Sequence, residues 1–166
     1  MIGPDLPRVA AAFNAAGARY AVIGGFAVVA HQYVRATEDV DLLIPDDDGN
    51  DVRVIAALEQ LGARRRDGAP AVLADLTGRE HLRVESDAGL VDLLRAGATP
   101  LDFDSVDASA IEAVVDGESI RVCGLESLVA FKRLAGRPRD RLDLEELEAR
   151  HGGSLPRLRL PGLDDA

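Results

Sequence analysis

Asp39 and Asp41 are separated by one residue in the otherwise apolar run Asp39-Val40-Asp41-Leu42-Leu43-Ile44. On a β-strand alternate side chains share a face, so both carboxylates project to one side from Cα atoms roughly 6.5–7 Å apart. Two negative charges that close repel each other unless a cation lies between them. Hard carboxylate oxygens suit Mg²⁺ or Mn²⁺, ions that commonly use one or two carboxylates together with substrate phosphates. Upstream, the apolar run Tyr20-Ala21-Val22-Ile23 ends in Gly24-Gly25. Such a pair allows a tight turn from strand into helix, and the turn aims backbone N–H groups and a helix N-terminus at an incoming phosphate. Together the two features point to a phosphate and a divalent metal. The plainer alternative is a pair of strand-end acids in solvent beside a turn that holds no ligand.

Lys132 stands out on its own. It is the only lysine among nineteen Lys and Arg residues, so a chain that otherwise uses guanidinium has kept one ammonium here. At 100° per residue it falls within the apolar arc of Leu125, Leu128, Val129 and Phe131. It is either a snorkelling side chain whose stem covers the core or a compact charge directed at a triphosphate. Asp140 shares a helix face with Leu144 and Leu147, so it either orients Lys132 or a neighbouring arginine, or caps the helix that Pro138 begins. Arg35 and Thr37, just before the acid pair, are candidate contacts to phosphate or ribose. His31 reads as a helix surface or packing residue.

The elements that must position these residues alternate along the chain. Leu6, Val9, Ala10 and Phe13 recur at helical spacing before Gly17. Tyr20 to Ile23 reads as a buried strand, Phe26 to Tyr33 as a helix and Asp39 to Ile44 as a strand closed by Pro45. The acidic turn Asp46-Asp47-Asp48-Gly49 precedes a helix over Asp51 to Leu61 that buries Val52, Ile55, Ala56 and Leu58, with Gly62 as a left-handed stop. His81 to Glu85 and Gly89 to Leu94 form a hairpin through Ser86-Asp87-Ala88. Ile111 to Val115 is a strand or a helix end, and Ser119 to Cys123 a strand after the turn at Asp116-Gly117. Helices over Leu125 to Ala135 and Arg139 to Arg150 close the domain. Helices mixed with crossover and hairpin strands predict an α/β or α+β domain around a mixed twisted sheet. One domain spans residues 1–152, and residues 153–166, with Pro156, Pro161 and Gly162, are expected to be an extended or mobile tail.

Composition bounds what this domain can be. At 166 residues the chain can enclose a real core, and 47% hydrophobic against 29% charged residues excludes a disordered protein. No apolar run approaches the roughly 20 residues that span a bilayer. With no secretory signal pattern and Cys123 as the single cysteine, a cytoplasmic protein without an internal disulfide is expected. The net charge of −10 argues against a nonspecific polyanion binder, though not against a local basic patch. Arg64-Arg65-Arg66 reads as surface charge balancing nearby acids. Arg133, Arg137, Arg139 and Arg141 form the other candidate patch.

The stretch Ile23-Gly24-Gly25 followed by Asp39-Val40-Asp41-Leu42 resembles the signature of the nucleotidyltransferase superfamily that includes DNA polymerase β and small bacterial nucleotidyltransferases. The longer match through Phe26-Ala27-Val28, His31 and Arg35-Ala36-Thr37, with Leu128 to Arg133, Gly136 to Asp140 and Asp143-Leu144, is similar to its AbiEii-like branch. The resemblance covers roughly Tyr20 to Leu147. It implies the nucleotidyltransferase fold and a reaction in which a hydroxyl attacks the α-phosphorus of a nucleoside triphosphate and pyrophosphate leaves. It further implies Mg²⁺ or Mn²⁺ held by Asp39, Asp41 and a third acid on a neighbouring strand, for which Asp92 in Leu90-Val91-Asp92-Leu93-Leu94 is the matching position. An unpartnered acid in an apolar strand is unfavourable to bury, so Asp92 is expected to face the site rather than the core, the plainer alternative being a surface acid on an edge strand. Gly24, Gly25, Arg35, Thr37, Lys132 and Asp140 would bind the nucleotide, with Lys132 also counted among the catalytic groups. Many active relatives carry Ser or Thr after the glycines, where this chain has Phe26, so backbone amides, Arg35 or Lys132 would have to compensate.

Three readings follow. The first is a metal-dependent nucleotidyltransferase acting on a hydroxyl of RNA, such as tRNA, of protein or of a small molecule, as the toxin of a toxin–antitoxin pair would, with an antitoxin protein as partner. The second is a catalytically silent nucleotide-binding or regulatory module working through protein contacts. The third is an aminoglycoside-type nucleotidyltransferase, whose acidic site would attract a cationic acceptor.

Overall fold

The computed structural model describes residues 3–95 and 97–165. Helix α1 (Leu6–Ala15) begins at Asp5, whose carboxylate accepts from the Arg8 N–H at 3.1 Å, and it buries Leu6, Val9, Ala10 and Phe13 as their spacing predicts. Strand β1 (Ala21–Ile23) is fully buried and runs without a break into α2 (Gly24–Ala30). This helix starts at the glycines rather than at Phe26. It ends at Ala30, before Gln32 takes a positive φ of 80°, and not at Tyr33.

Strand β2 (Asp39–Leu43) leads to α3 (Asp48–Gln60), which starts three residues earlier than the apolar pattern suggests because Asp47 accepts from the Asn50 N–H at 2.7 Å. The buried face of α3 also differs from expectation. Asp51, Val54, Ala57 and Leu58 point inward while Val52 is 56% exposed. The cause is Asp51, which is buried under a bidentate pair with Arg95 at 2.7 Å to each carboxylate oxygen, so an acid occupies the core face.

A 3₁₀ turn over Leu73–Asp75 precedes the hairpin β3 (His81–Ser86) and β4 (Gly89–Leu94). A short helix that the apolar pattern does not reveal, α4 (Phe103–Ala108), is capped by Asp102. Strands β5 (Ile111–Val115) and β6 (Glu118–Val122) form the second hairpin, so the ambiguous Ile111 segment is a strand. Asp116 and Gly117 between them both have positive φ, 51° and 78°, the twist that favours two-residue hairpin loops. Helices α5 (Leu125–Ala135) and α6 (Pro138–Arg150) follow.

The six strands form one mixed sheet in the order β3-β4-β2-β1-β6-β5. Strand β2 is antiparallel to β1 and parallel to β4, while β1 is parallel to β6. Helix α1 packs against α3 and β6, and α2 lies against β1, β2 and α5, with α6 behind α5. The segment after Gly153 returns to α5, where Arg133 donates to the Leu158 carbonyl at 3.0 Å and pairs with Asp164, and Leu160 is buried.

Candidate active site

The chain's acids meet because of strand register. In the parallel pairing of β2 and β4, Asp41 lies opposite Asp92, and Asp39 lies two residues back on the same face. One oxygen from each of the three carboxylates lies within 4.8 Å of the others. Asp92 is buried, and Asp39 and Asp41 are partly so. Burial first, then the Asp92 carboxylate, raises Asp39 above the usual carboxylate range. Burial, then Asp39 and Asp92, pushes Asp41 up to about 7, against a smaller opposing effect of Lys132. Three hard oxygen donors this close together, with Asp39 and Asp41 resisting ionisation, suit a small divalent cation, so the residues fit Mg²⁺ or Mn²⁺.

Gly24 sets the distance between turn and triad. Its φ is +68°, and a Cβ built there would stand 2.1 Å from Asp41 Oδ2. Neither the backbone conformation nor the approach admits another residue without a shift. A Cβ on Gly25 would meet Thr37 Oγ1 at 2.5 Å, so Gly24 lets the turn close on β2 and Gly25 on the loop before it. Thr37 donates to the Asp39 carbonyl at 3.2 Å. Gly24, Gly25, Arg35, Thr37, the three acids, Lys132 and Asp140 all line one cleft of about 600 Å³, which also receives His81, Arg83, Arg137 and Arg139. Phe26 is half-buried against the core and brings no hydroxyl to the turn.

Behind the cleft lies an extended ion network. The Lys132 ammonium donates to Asp140 Oδ1 at 3.0 Å and pairs with Asp143 Oδ2 at 2.8 Å, and all three residues are buried. Arg35 holds Asp143 with two bonds of 2.8 and 2.9 Å, and Arg137 holds Asp140 through Nε at 2.7 Å. Asp140 also accepts from the Arg137 N–H at 3.1 Å, so it caps α6 and orients Lys132 at once. Its carboxyl sits below the usual range; burial opposes this, and the bonds from Arg137 and Lys132 outweigh it. The Lys132 ammonium shares Asp140 Oδ1 with Arg137 and Asp143 Oδ2 with Arg35, a crowded position that suits a compact point charge better than a third planar guanidinium. His31, by contrast, is buried with its Nε2 2.8 Å from the Cys123 carbonyl, a packing role.

A profile of the aminoglycoside-2''-adenylyltransferase family matches residues 5–147, nearly the whole domain and every residue of the cleft. The chain belongs to this family. It is therefore a nucleotidyltransferase, and the nucleotidyltransferase superfamily indicated by the Gly-Gly and Asp-x-Asp motifs holds. Nothing in the match singles out the AbiEii-like branch.

Solved nucleotidyltransferase structures share the fold. ANT(2'')-Ia in complex with adenylyl-2''-tobramycin superposes with a TM-score of 0.59 at 18% identity, covering 87% of this chain and 86% of that one. An antigenic nucleotidyltransferase-like protein from Paracoccidioides brasiliensis gives 0.56 at 17% identity, over 86% and 71%. A nucleotidyltransferase described as putative from Thermotoga maritima gives 0.54 at 12% identity, over 87% and 91%. A search of curated proteins finds no match.

Two cleft residues escape the motif reading of this nucleotidyltransferase, and Asp143 lies within its longer match without an assigned role. His81 Nε2 lies 2.9 Å from Asp92 Oδ1, and Arg83 donates to Asp92 Oδ2 at 3.1 Å. The signal was present in the hairpin: with Ser86 and Gly89 as its closing pair, Arg83 falls opposite Asp92. Asp143 shares a helix face with Asp140 and Leu147, a second acid on an apolar stripe. Among the predicted arginines, Arg137 and Arg139 line the cleft, whereas Arg133 turns to the C-terminal segment. Arg65 pairs with Asp67 and Asp75, as surface charge balance predicts.

Proposed function

We propose that the chain transfers a nucleoside monophosphate, an adenylyl group if it follows its family's name, to a hydroxyl of an aminoglycoside-like polyamine sugar, using a divalent cation held by Asp39, Asp41 and Asp92. The observation that carries this reading is the convergence of three carboxylates within 4.8 Å beside a glycine turn. When bound, the cation would lower the pKa of the attacking hydroxyl and neutralise charge on the departing pyrophosphate. The other roles belong to the chain. The first N–H groups of α2 have no acceptor within the helix and lie at Gly24 and Gly25, where they can hold phosphate oxygens in place of the hydroxyl that Phe26 lacks. Lys132 has three donors and two acid partners, leaving one for a phosphate oxygen at the cleft wall. Arg137 and Arg139 add positive charge at the rim. Asp92 serves as a ligand or as the base that takes the acceptor's proton.

The test is transfer of label from each α-³²P nucleoside triphosphate, with Mg²⁺ or Mn²⁺, to an aminoglycoside bearing a free 2''-hydroxyl, to tRNA and to the protein itself. Labelled aminoglycoside is expected, with loss of at least about a hundredfold on Asp41→Asn or Asp39→Asn and no change on Glu145→Gln, an exposed α6 substitution. Label on tRNA or protein instead would identify a toxin-type acceptor and favour the AbiEii-like assignment. A second reading is favoured by Phe26, packed where a phosphate-binding hydroxyl would stand: nucleotide binding without transfer to any acceptor would mark a silent nucleotide-binding module. No described helix is long and apolar enough to cross a membrane.

A further inference from the structure

The three acids are not equally available. Arg83, on β3 opposite Asp92, donates to Asp92 Oδ2 at 3.1 Å, and its other terminal nitrogen lies 3.6 Å from Asp39 Oδ2. One guanidinium thus spans two of the three carboxylates. The remaining oxygen of Asp92 is engaged by His81 at 2.9 Å. Asp41 has no salt-bridge partner among the described residues, and its far side is closed by Gly24. Asp92 is the most buried of the three acids, at 5% exposure, so without a cation its charge depends on β3. The Arg83 side chain is 50% exposed, so it can leave toward solvent without breaking the core.

Resting on the reading of the triad as a metal site, we propose that Arg83 is a resident counter-cation that competes with the divalent ion for the Asp39–Asp92 edge. An ion coordinated through Asp41 and Asp39 meets little obstruction. An ion that takes Asp92 as a ligand does so only as the guanidinium withdraws, because both cations seek the same oxygens and repel each other at this range. Arg83 therefore keeps the folded, ion-free triad neutralised on one side and raises the ion concentration at which Asp92 is recruited. The freed guanidinium then stands at the cleft wall, where it can meet an anionic group of the substrate.

The test is direct Mn²⁺ binding to the full chain without nucleotide, read from the electron paramagnetic resonance signal of free Mn²⁺. Arg83→Gln is expected to tighten binding at the Asp92-dependent position about fivefold, the range a half-exposed ion pair controls. Arg53→Gln on the exposed side of α3 makes the same change in net charge and is expected to leave binding unchanged. In the unsubstituted protein, the Arg83 Nη–H resonances, the groups that face Asp92 and Asp39, are expected to lose exchange protection as Mg²⁺ is added, a readout that survives if Arg83→Gln does not fold. Binding that Arg83→Gln does not tighten, or that Arg53→Gln tightens equally, overturns the competition alone. So does an Arg83 resonance indifferent to Mg²⁺. Absence of any ion binding, unaltered by Asp41→Asn, overturns the metal-site reading and this inference with it.

Discussion

At the scale of single residues, the site holds an unfavourable cluster of carboxylates that a bound divalent cation would relieve. The ordinary Asp value is 3.8, and burial with two neighbouring acids pushes Asp41 up to about 7 in the fold. Between those values the folded chain holds a proton that the unfolded chain has released. The folded state then binds more protons, so ion-free stability falls as pH rises from about 4 to about 7 and stays low above it. Asp41→Asn removes the charge while keeping the shape. It should raise the ion-free stability at about pH 8 by an amount on the order of 1–3 kcal/mol, seen as a higher melting temperature, and do little at about pH 4. Added Mg²⁺ should stabilise the unsubstituted protein at about pH 8 far more than at about pH 5, because coordination needs the ionised carboxylates. Melting curves of both proteins with and without Mg²⁺ check this, and a melting temperature for Asp41→Asn equal to the parent at high pH would count against it. The Asp39 and Asp41 pair was legible in the sequence because alternation along one strand is a local property. The pairing of Asp92 with His81 and Arg83 was only half legible, since it depends on the register of a hairpin whose turn has to be placed first.

At the scale of elements, the site depends on β2 lying parallel to β4, which brings Asp41 opposite Asp92 across a gap that includes α3 and β3. No local pattern encodes that pairing. Amphipathic spacing did give α1 and α5 their bounds or their buried faces, and Asp116-Gly117 gave the β5–β6 turn. Where it failed, a polar residue stood in for an apolar one. Asp51, buried under Arg95, shifted the apparent face of α3, and α4 was too short to show a period. The β1–α2 turn is the element most tightly coupled to chemistry, because a Cβ at Gly24 would overlap Asp41 Oδ2 at 2.1 Å. Gly24→Ala should therefore destabilise the fold by about 1–3 kcal/mol through strain at positive φ and displacement of Asp41. It should also weaken Mn²⁺ binding. Gly17→Ala, with a similar φ of +68° and nothing within 4 Å of its Cβ, separates the two causes. That variant should share the backbone strain and spare the ion affinity, as denaturation and Mn²⁺ titration would show.

At the scale of the whole molecule, a chain of net charge −10 concentrates cations around one cleft and locks them with buried acids. Arg35 from the loop before β2, Lys132 from α5 and Arg137 at the start of α6 are joined through Asp140 and Asp143. The two helices, the loop and the cleft wall thus share one electrostatic fastening. Asp143 is its centre, fully buried, with Arg35 on both oxygens and Lys132 on one. Asp143→Asn keeps the volume but leaves two mostly buried cations facing a neutral amide. Breaking a buried pair from one side typically costs about 3–5 kcal/mol, far more than an exposed pair. Removing charge on both sides is milder, so Asp143→Leu combined with Arg35→Met should recover part of the stability, leaving Lys132 to Asp140. If the network also shapes the nucleotide site, the double variant should refold well yet bind nucleotide more weakly, since Arg35 and Lys132 line the cleft. Equilibrium unfolding and nucleotide titration of the single and double variants separate these effects. Stability recovered with unchanged nucleotide affinity would confine the network to structure, whereas recovered stability with lost affinity would place it in the function of the cleft.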